Sequence, residues 1–213
     1  MTPPEMLIVA GPPGAGKSSV FPLRKLVDNS FNADDRAAAL NGGSYRAIPL
    51  TIRQQVNREF ERFVADNIGF PRSFALETTL RSNITFEQAK HAKSVGFQVS
   101  MIYVALDGFA LHLERVRMRT FAGGHAASGS ALRKIYESSL KNLPIALNPA
   151  ESGIDEVRIF DNTLFLEDPR LVLSADGGQV VGISNTFPLW LRTALGWSEL
   201  EVELYRAGCS FRD

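Results

Sequence analysis

The segment Gly11-Pro12-Pro13-Gly14-Ala15-Gly16-Lys17-Ser18 constrains this chain more than any other stretch. It fits G-x-x-x-x-G-K-[ST] and follows a short apolar run, Met6 to Ala10, that reads as a strand. Glycines let successive backbone N–H groups turn inward on phosphate oxygens, and a helix starting at the end of such a loop adds a dipole that favours anions. The pattern predicts a phosphate-binding loop running through Ser19, in which Lys17 reaches the β- and γ-phosphates and the Ser18 hydroxyl holds Mg²⁺. A helix is expected from Ser18 to Asp28, with Pro22 tolerated near its first turn. The competing reading is a glycine-rich turn without a ligand. The strand before the loop and the helix-compatible sequence after it weigh against that reading.

The 213 residues are enough for one sizeable α/β core, expected over about residues 6–165, with a C-terminal appendage over about 166–213. Lys and Arg (23) balance Asp and Glu (23), which is not the basic footprint of a nucleic-acid binder. One cysteine, Cys209, excludes an internal disulfide. No stretch reaches the length of a transmembrane span, and the chain enters its first strand too early for a signal peptide. A cytoplasmic protein with no membrane or nucleic-acid partner is expected.

Downstream, Asn29 to Arg36 reads as a short apolar element ending in the carboxylates Asp34 and Asp35, with another helix beginning over Ala37 to Leu40. A carboxylate there can take a proton from a substrate hydroxyl, or it can cap the next helix; spacing leaves both open. Ile48 to Asn67 has helical periodicity. Ser73 to Glu77 reads as a buried strand followed by Thr78-Thr79-Leu80-Arg81. Ligands of open α/β sheets bind beyond the carboxyl ends of strands, so Glu77 and Arg81, with Thr78 between them, are candidate substrate or Mg²⁺ contacts. A helix cap and a solvated arginine are the alternative. Ser82 to Val95 reads as helix and Phe97 to Leu106 as a central parallel strand closed by Asp107, a second candidate for Mg²⁺.

The helix from Phe109 to about Thr120 carries Arg115, Arg117 and Arg119, and a second basic helix, Ser130 to Asn142, carries Arg133 and Lys134. Arg115 and Arg119 share a face, where like charges repel unless an anion lies near. With Gly123-Gly124-His125 between them, the two helices read as a helical lid over a transferring phosphoryl group or as a solvated basic hairpin. Leu143 to Ala150 is expected as a short proline-bounded helical turn. Asp155 to Asn162 is expected as the last parallel strand. Ala175-Asp176-Gly177-Gly178 signals a hairpin, and terminal helices follow around Trp190 and Trp197, tryptophans better suited to core than to base stacking. The fold class is therefore α/β, a three-layer P-loop NTPase fold with a mainly parallel central sheet, a helical lid and a C-terminal hairpin plus helices.

These ordered segments resemble the zeta-toxin family of P-loop kinases: the Gly11–Ser18 loop, Phe31-Asn32-Ala33-Asp34, Leu76 through Arg81, Glu114-Arg115-Val116 with Arg119 and Gly123-Gly124-His125, Ser138 through Pro144, and Phe160-Asp161-Asn162. The resemblance covers roughly residues 6–165. It implies ATP and Mg²⁺ on Lys17 and Ser18, and Asp34 as the base for an acceptor hydroxyl. It also implies Glu77 at the substrate, and Arg119 and Arg133 on the charge of the transferred group. The best-known family members phosphorylate UDP-N-acetylglucosamine, which makes a sugar nucleotide the implied small-molecule substrate and a separate antitoxin an implied partner. The sequence departs from the pattern at Ala126-Ala127-Ser128-Gly129, which lacks an expected proline, and in carrying no fused antitoxin segment.

ATP is favoured over GTP because no [NT]-K-x-D run occurs. Two other classes stay open at this level: an ATP-dependent switch acting through a partner protein, and a kinase of nucleic-acid ends, against which the neutral composition counts.

Overall fold

The computed structural model describes residues 2–121 and 128–209. The proposed hinge Gly123-Gly124-His125 lies outside them. In chain order the elements are β1 (Glu5–Ala10), α1 (Lys17–Val20), α2 (Leu23–Leu26), β2 (Ser30–Phe31), α3 (Ala33–Leu40), α4 (Leu50–Gly69), β3 (Phe74–Thr78), α5 (Ile84–Ser94), β4 (Gln98–Ala105), α6 (Phe109–Phe121), α7 (Gly129–Ala146), α8 (Pro149–Ser152), β5 (Glu156–Asp161), β6 (Arg170–Asp176), β7 (Gln179–Ile183), α9 (Leu189–Leu195) and α10 (Glu199–Gly208).

One seven-stranded sheet runs in the order β2-β3-β1-β4-β5-β6-β7. The first five strands are parallel and the last two antiparallel. Because β1 lies between β3 and β4, the chain turns to opposite sides of the sheet there, and the loop after β1 opens at this switch point. The two-residue period of a strand divides β1 between two cores: Met6, Ile8 and Ala10 join the larger cluster, Leu7 and Val9 the smaller one beneath α2. Val172, Leu173 and Ala175 of β6 and Trp190 and Leu191 of α9 belong to the same cluster as Met6 and Ile8, so the larger core continues through the C-terminal elements. Trp190 is core, and Trp197 stacks between Phe187 and Tyr205.

Two expected elements are corrected. The helix expected from Ser18 to Asp28 is broken into α1 and α2. Pro22 excludes the helical conformation from the residue before it, and Phe21 sits at φ −123°, ψ 66°. The turn expected over Leu143 to Ala150 is the last turn of α7 plus a separate α8. α7 runs past Pro144 because Leu143 and Ala146 are wholly buried, so packing outweighs the lost helical hydrogen bond. The break comes at Leu147-Asn148, where the Asn148 side chain accepts the Ala150 N–H and caps α8.

Candidate active site

The loop after β1 is shaped by what it crosses. Gly11 has φ +138°, and a Cβ there would lie 2.0 Å from the Val104 carbonyl oxygen of β4. Gly14, at φ +81°, approaches α6 so closely that a Cβ would lie 2.5 Å from the His112 carbonyl oxygen. Both positions require glycine for space and for backbone conformation. Lys17 turns back into the cradle they form, with Nζ donating to the carbonyl oxygens of Gly11 (2.8 Å) and Pro12 (3.2 Å). Burial pushes its pKa down, opposed by the nearby carboxylates of Glu77 and Asp34.

Glu77, from the end of β3, is the hub of the site. Its Oε1 lies 3.7 Å from Lys17 Nζ, and its Oε2 accepts from Ser18 Oγ at 2.9 Å and Asn32 Nδ2 at 3.0 Å. The Asn32 Oδ1 meanwhile accepts the N–H groups of Asp34 and Asp35 at 2.9 and 3.1 Å. Asn32 thus caps α3 and ties it to β3, and the aspartates are free of the capping role the sequence offered them. Among the described residues no three His, Cys, Asp or Glu side chains converge on a metal position. The Ser18 hydroxyl beside the Glu77 carboxylate is nevertheless an oxygen pair that fits Mg²⁺, which is bound through few protein groups plus phosphates.

Two cavities flank the loop. One of about 430 Å³ is lined by Lys17, Ser18, Asn32, Glu77 and Thr79 together with Asp34, Asp35, Tyr45 and Ile48. The other, of about 300 Å³, lies between Arg115, Asn162 and the Leu164-Phe165-Leu166 loop. Gly14, Gly16, Ser19 and Arg119 border both. An extended ligand with a phosphate chain over the loop has room at either end.

Buried side chains fix this geometry. His112, 2% exposed, accepts the Leu106 N–H on Nε2 at 3.0 Å and, with Nδ1 2.9 Å from the Pro13 carbonyl oxygen, donates there. The imidazole is neutral: burial pushes its pKa down to about 4, and Lys17 and Arg115 add to the effect. Asn162 Nδ2 donates to the Ala15 carbonyl oxygen at 2.8 Å. Beyond β3, Leu80 is fully buried at φ +54°. Its N–H donates to Thr78 Oγ1 (3.2 Å), and its carbonyl accepts from Asn142 Nδ2 of α7 at 2.9 Å.

The structure therefore brings together Gly11 through Ser19, Asp34, Glu77 and Arg119. Thr78 and Arg81 border neither cavity: the Thr78 hydroxyl serves the turn, 3.4 Å from Thr85 Oγ1, and Arg81 is exposed. Thr79 faces the larger cavity instead. Arg133 lies over the Phe109 ring at 4.4 Å, near Glu137, and borders neither cavity. Of the two carboxylates considered for Mg²⁺, Glu77 meets Ser18, whereas Asp107 is exposed and its N–H donates to Thr163 Oγ1. Sequence reasoning missed His112, Tyr45 and the bridging role of Asn32. Only Asn32 had a local signal, a capping side chain two residues before an acidic pair.

No family model matches the chain. A protein of Haemophilus influenzae described only as uncharacterized is 27% identical over 131 residues, 61% of this chain and 91% of that one. A structure from the PezAT chromosomal toxin-antitoxin system of Streptococcus pneumoniae superposes with a TM-score of 0.59 at 15% identity, covering 98% of this chain and 85% of that one. The AvrRxo1-ORF1:-ORF2 complex with ATP gives 0.63 at 16% identity, covering 86% of this chain and 61% of that one. At such identities the likeness is one of architecture: the chain shares with these structures an α/β fold with a mainly parallel sheet and a phosphate-binding loop after β1.

Proposed function

We propose that this chain is an ATP-dependent kinase that transfers the γ-phosphoryl group to a hydroxyl of a small molecule, with residues 1–213 forming one kinase domain. The observation that carries the reading is that Asp34 lines the same cavity as Lys17, Ser18 and Glu77. A nucleotide switch needs the loop, but it has no use for a further carboxylate in the cavity that opens beside it. ATP fits the glycine cradle, with its base in the smaller cavity beside Arg115 and Phe165. Ser18, beside Glu77, would hold Mg²⁺ together with the phosphates, and the ion would supply charge neutralisation at the β- and γ-oxygens.

The acceptor hydroxyl enters from the larger cavity. Asp34 takes its proton as the acceptor oxygen bonds to the γ-phosphorus, and the bond to the β–γ bridging oxygen breaks to leave ADP. Lys17 and Arg119 stabilise the charge spread over the transferred group, and Arg133 joins them if the lid helices close. Thr78 and Arg81 belong to the proposal as substrate contacts only through their place at the carboxyl end of β3. UDP-N-acetylglucosamine, or a related sugar nucleotide, is the acceptor that resemblance implies. A reaction fed by ATP belongs in the cytoplasm. The toxin-antitoxin origin of the PezAT structure supports a separate antitoxin-type protein as partner. Among the described residues no helix is long and apolar enough to cross a membrane.

The test is incubation with Mg²⁺-ATP and a panel of UDP-sugars, nucleotides, free sugars and polyols, read by mass spectrometry for a product heavier by one phosphoryl group. Product formed by the wild type and absent with Lys17→Ala supports the reading; ATP consumption with no modified acceptor opposes it.

A further inference from the structure

We infer that the segment from Asn41 to Ile48 is an acceptor-recognition wall, and that its Tyr45–Asp35 pair selects polyhydroxylated acceptors offering a second hydroxyl near the one that is phosphorylated. The inference rests on the kinase reading of the same cavity. Tyr45 Oη donates to Asp35 Oδ1 at 2.8 Å, and both residues border the larger cavity together with Asp34. That bond occupies one oxygen of Asp35 and fixes the carboxylate's orientation. Among the described residues the other oxygen has no hydrogen-bond partner, which leaves it to accept from a hydroxyl of a bound molecule. Asp34 and Asp35 are adjacent on the first turn of α3, so a proton acceptor and a gripping carboxylate stand side by side.

The wall is built rather than incidental. Asn41 Nδ2 donates to the carbonyl oxygens of Ser44 and Arg46, both at 2.9 Å, and the Arg46 N–H donates to Ser44 Oγ. Ala47 is held at φ +49°, a conformation alanine adopts only under constraint. Ile48 anchors the segment in the small core formed with Ala37 and Val56. The result is a strained, pinned loop that presents an aromatic ring 40% exposed, an aliphatic side chain and an oriented carboxylate to the cavity. An aromatic face and Ile48 suit the C–H face of a ring, and the carboxylate suits its hydroxyls. A small acceptor with a single hydroxyl would leave the Asp35 oxygen unpaired.

The experiment measures binding apart from catalysis. Wild type, Tyr45→Phe and Asp35→Asn, each loaded with a non-hydrolysable ATP analogue and Mg²⁺, are examined by saturation-transfer NMR. The probes are myo-inositol, glucosamine and UDP-N-acetylglucosamine, with the single-hydroxyl compounds serine and choline for comparison. The inference expects at least one polyol to bind the wild type and the single-hydroxyl compounds not to. Both substitutions should weaken that binding about tenfold with analogue affinity unchanged. Binding of no polyol, equal binding of both classes, or substitutions without effect would overturn it. Phosphoryl transfer measured in parallel reports on the kinase reading alone, so the two can fail separately.

Discussion

Lowering the pH should loosen the phosphate-binding loop through one side chain, His112. In the native protein its Nε2 is occupied by the Leu106 N–H, and Lys17 and Arg115 stand near, so a proton there breaks a hydrogen bond and adds a buried charge beside two others. In the unfolded chain the same imidazole titrates near 6.5, against about 4 in the folded protein. Between these values the unfolded state binds a proton that the native state refuses, so stability falls as pH drops through the window and is level above it. At about 1.4 kcal/mol per pKa unit, the difference amounts to roughly 3 kcal/mol by pH 4. Urea unfolding followed by circular dichroism at pH 7, 6, 5 and 4 measures the loss. His112→Gln, which keeps a donor and an acceptor but does not titrate, provides the comparison, because carboxylate titration is common to both proteins. The wild type should lose about 3 kcal/mol more than the variant over this range. Parallel pH profiles would refute the assignment of His112 as a neutral clamp between Leu106 and Pro13.

Three further substitutions probe the architecture. Gly11→Ala forces a Cβ onto the Val104 carbonyl oxygen at 2.0 Å, with no flexible side chain to yield; a loss of about 3 kcal/mol or more in denaturant unfolding is expected, together with loss of ATP binding. Glu77→Gln keeps the side-chain shape but removes the charge facing buried Lys17, so half-maximal activity should need about tenfold more Mg²⁺, and denaturant unfolding should show a loss of about 1–3 kcal/mol. Asn142→Ala withdraws the amide that holds the Leu80 carbonyl; thermal unfolding should show a loss of about 1–3 kcal/mol, and acceptor KM should rise more than ATP KM because Thr79 borders the acceptor cavity.

What could be read from the sequence follows from how local each feature is. The phosphate-binding loop was legible because its chemistry resides in one short run of backbone. The parallel strands were legible because burial on both faces makes them continuously apolar, as in Met101 to Leu106. The break at Pro22 has a local cause: the constraint proline places on the preceding residue outweighs its tolerance near a helix start. The choice between Thr78 and Thr79 also had a local clue. Side chains two apart share a face along a strand, so Thr79 follows Glu77 into the cavity while Thr78 turns toward Thr85. Tyr45 and His112 had no such signal. His112 acts across the fold on a carbonyl 99 residues away in the chain, and Tyr45 reaches a carboxylate 10 residues earlier through an irregular loop, so no periodicity near either residue marks its partner. Asn142 stood within a segment of the family resemblance, but its hold on a left-handed leucine 62 residues earlier exists only in the folded chain.

The central claim is that Asp34 serves transfer to an acceptor, not nucleotide binding. It is tested most directly with γ-labelled ATP and the acceptor panel, using wild type and Asp34→Asn at equal nucleotide saturation. With the wild type the label should move to an acceptor, Asp34→Asn should slow this at least about a hundredfold, and both proteins should bind ATP with the same affinity. Label released only as inorganic phosphate, at the same rate from both proteins, would contradict it and point to a nucleotide switch.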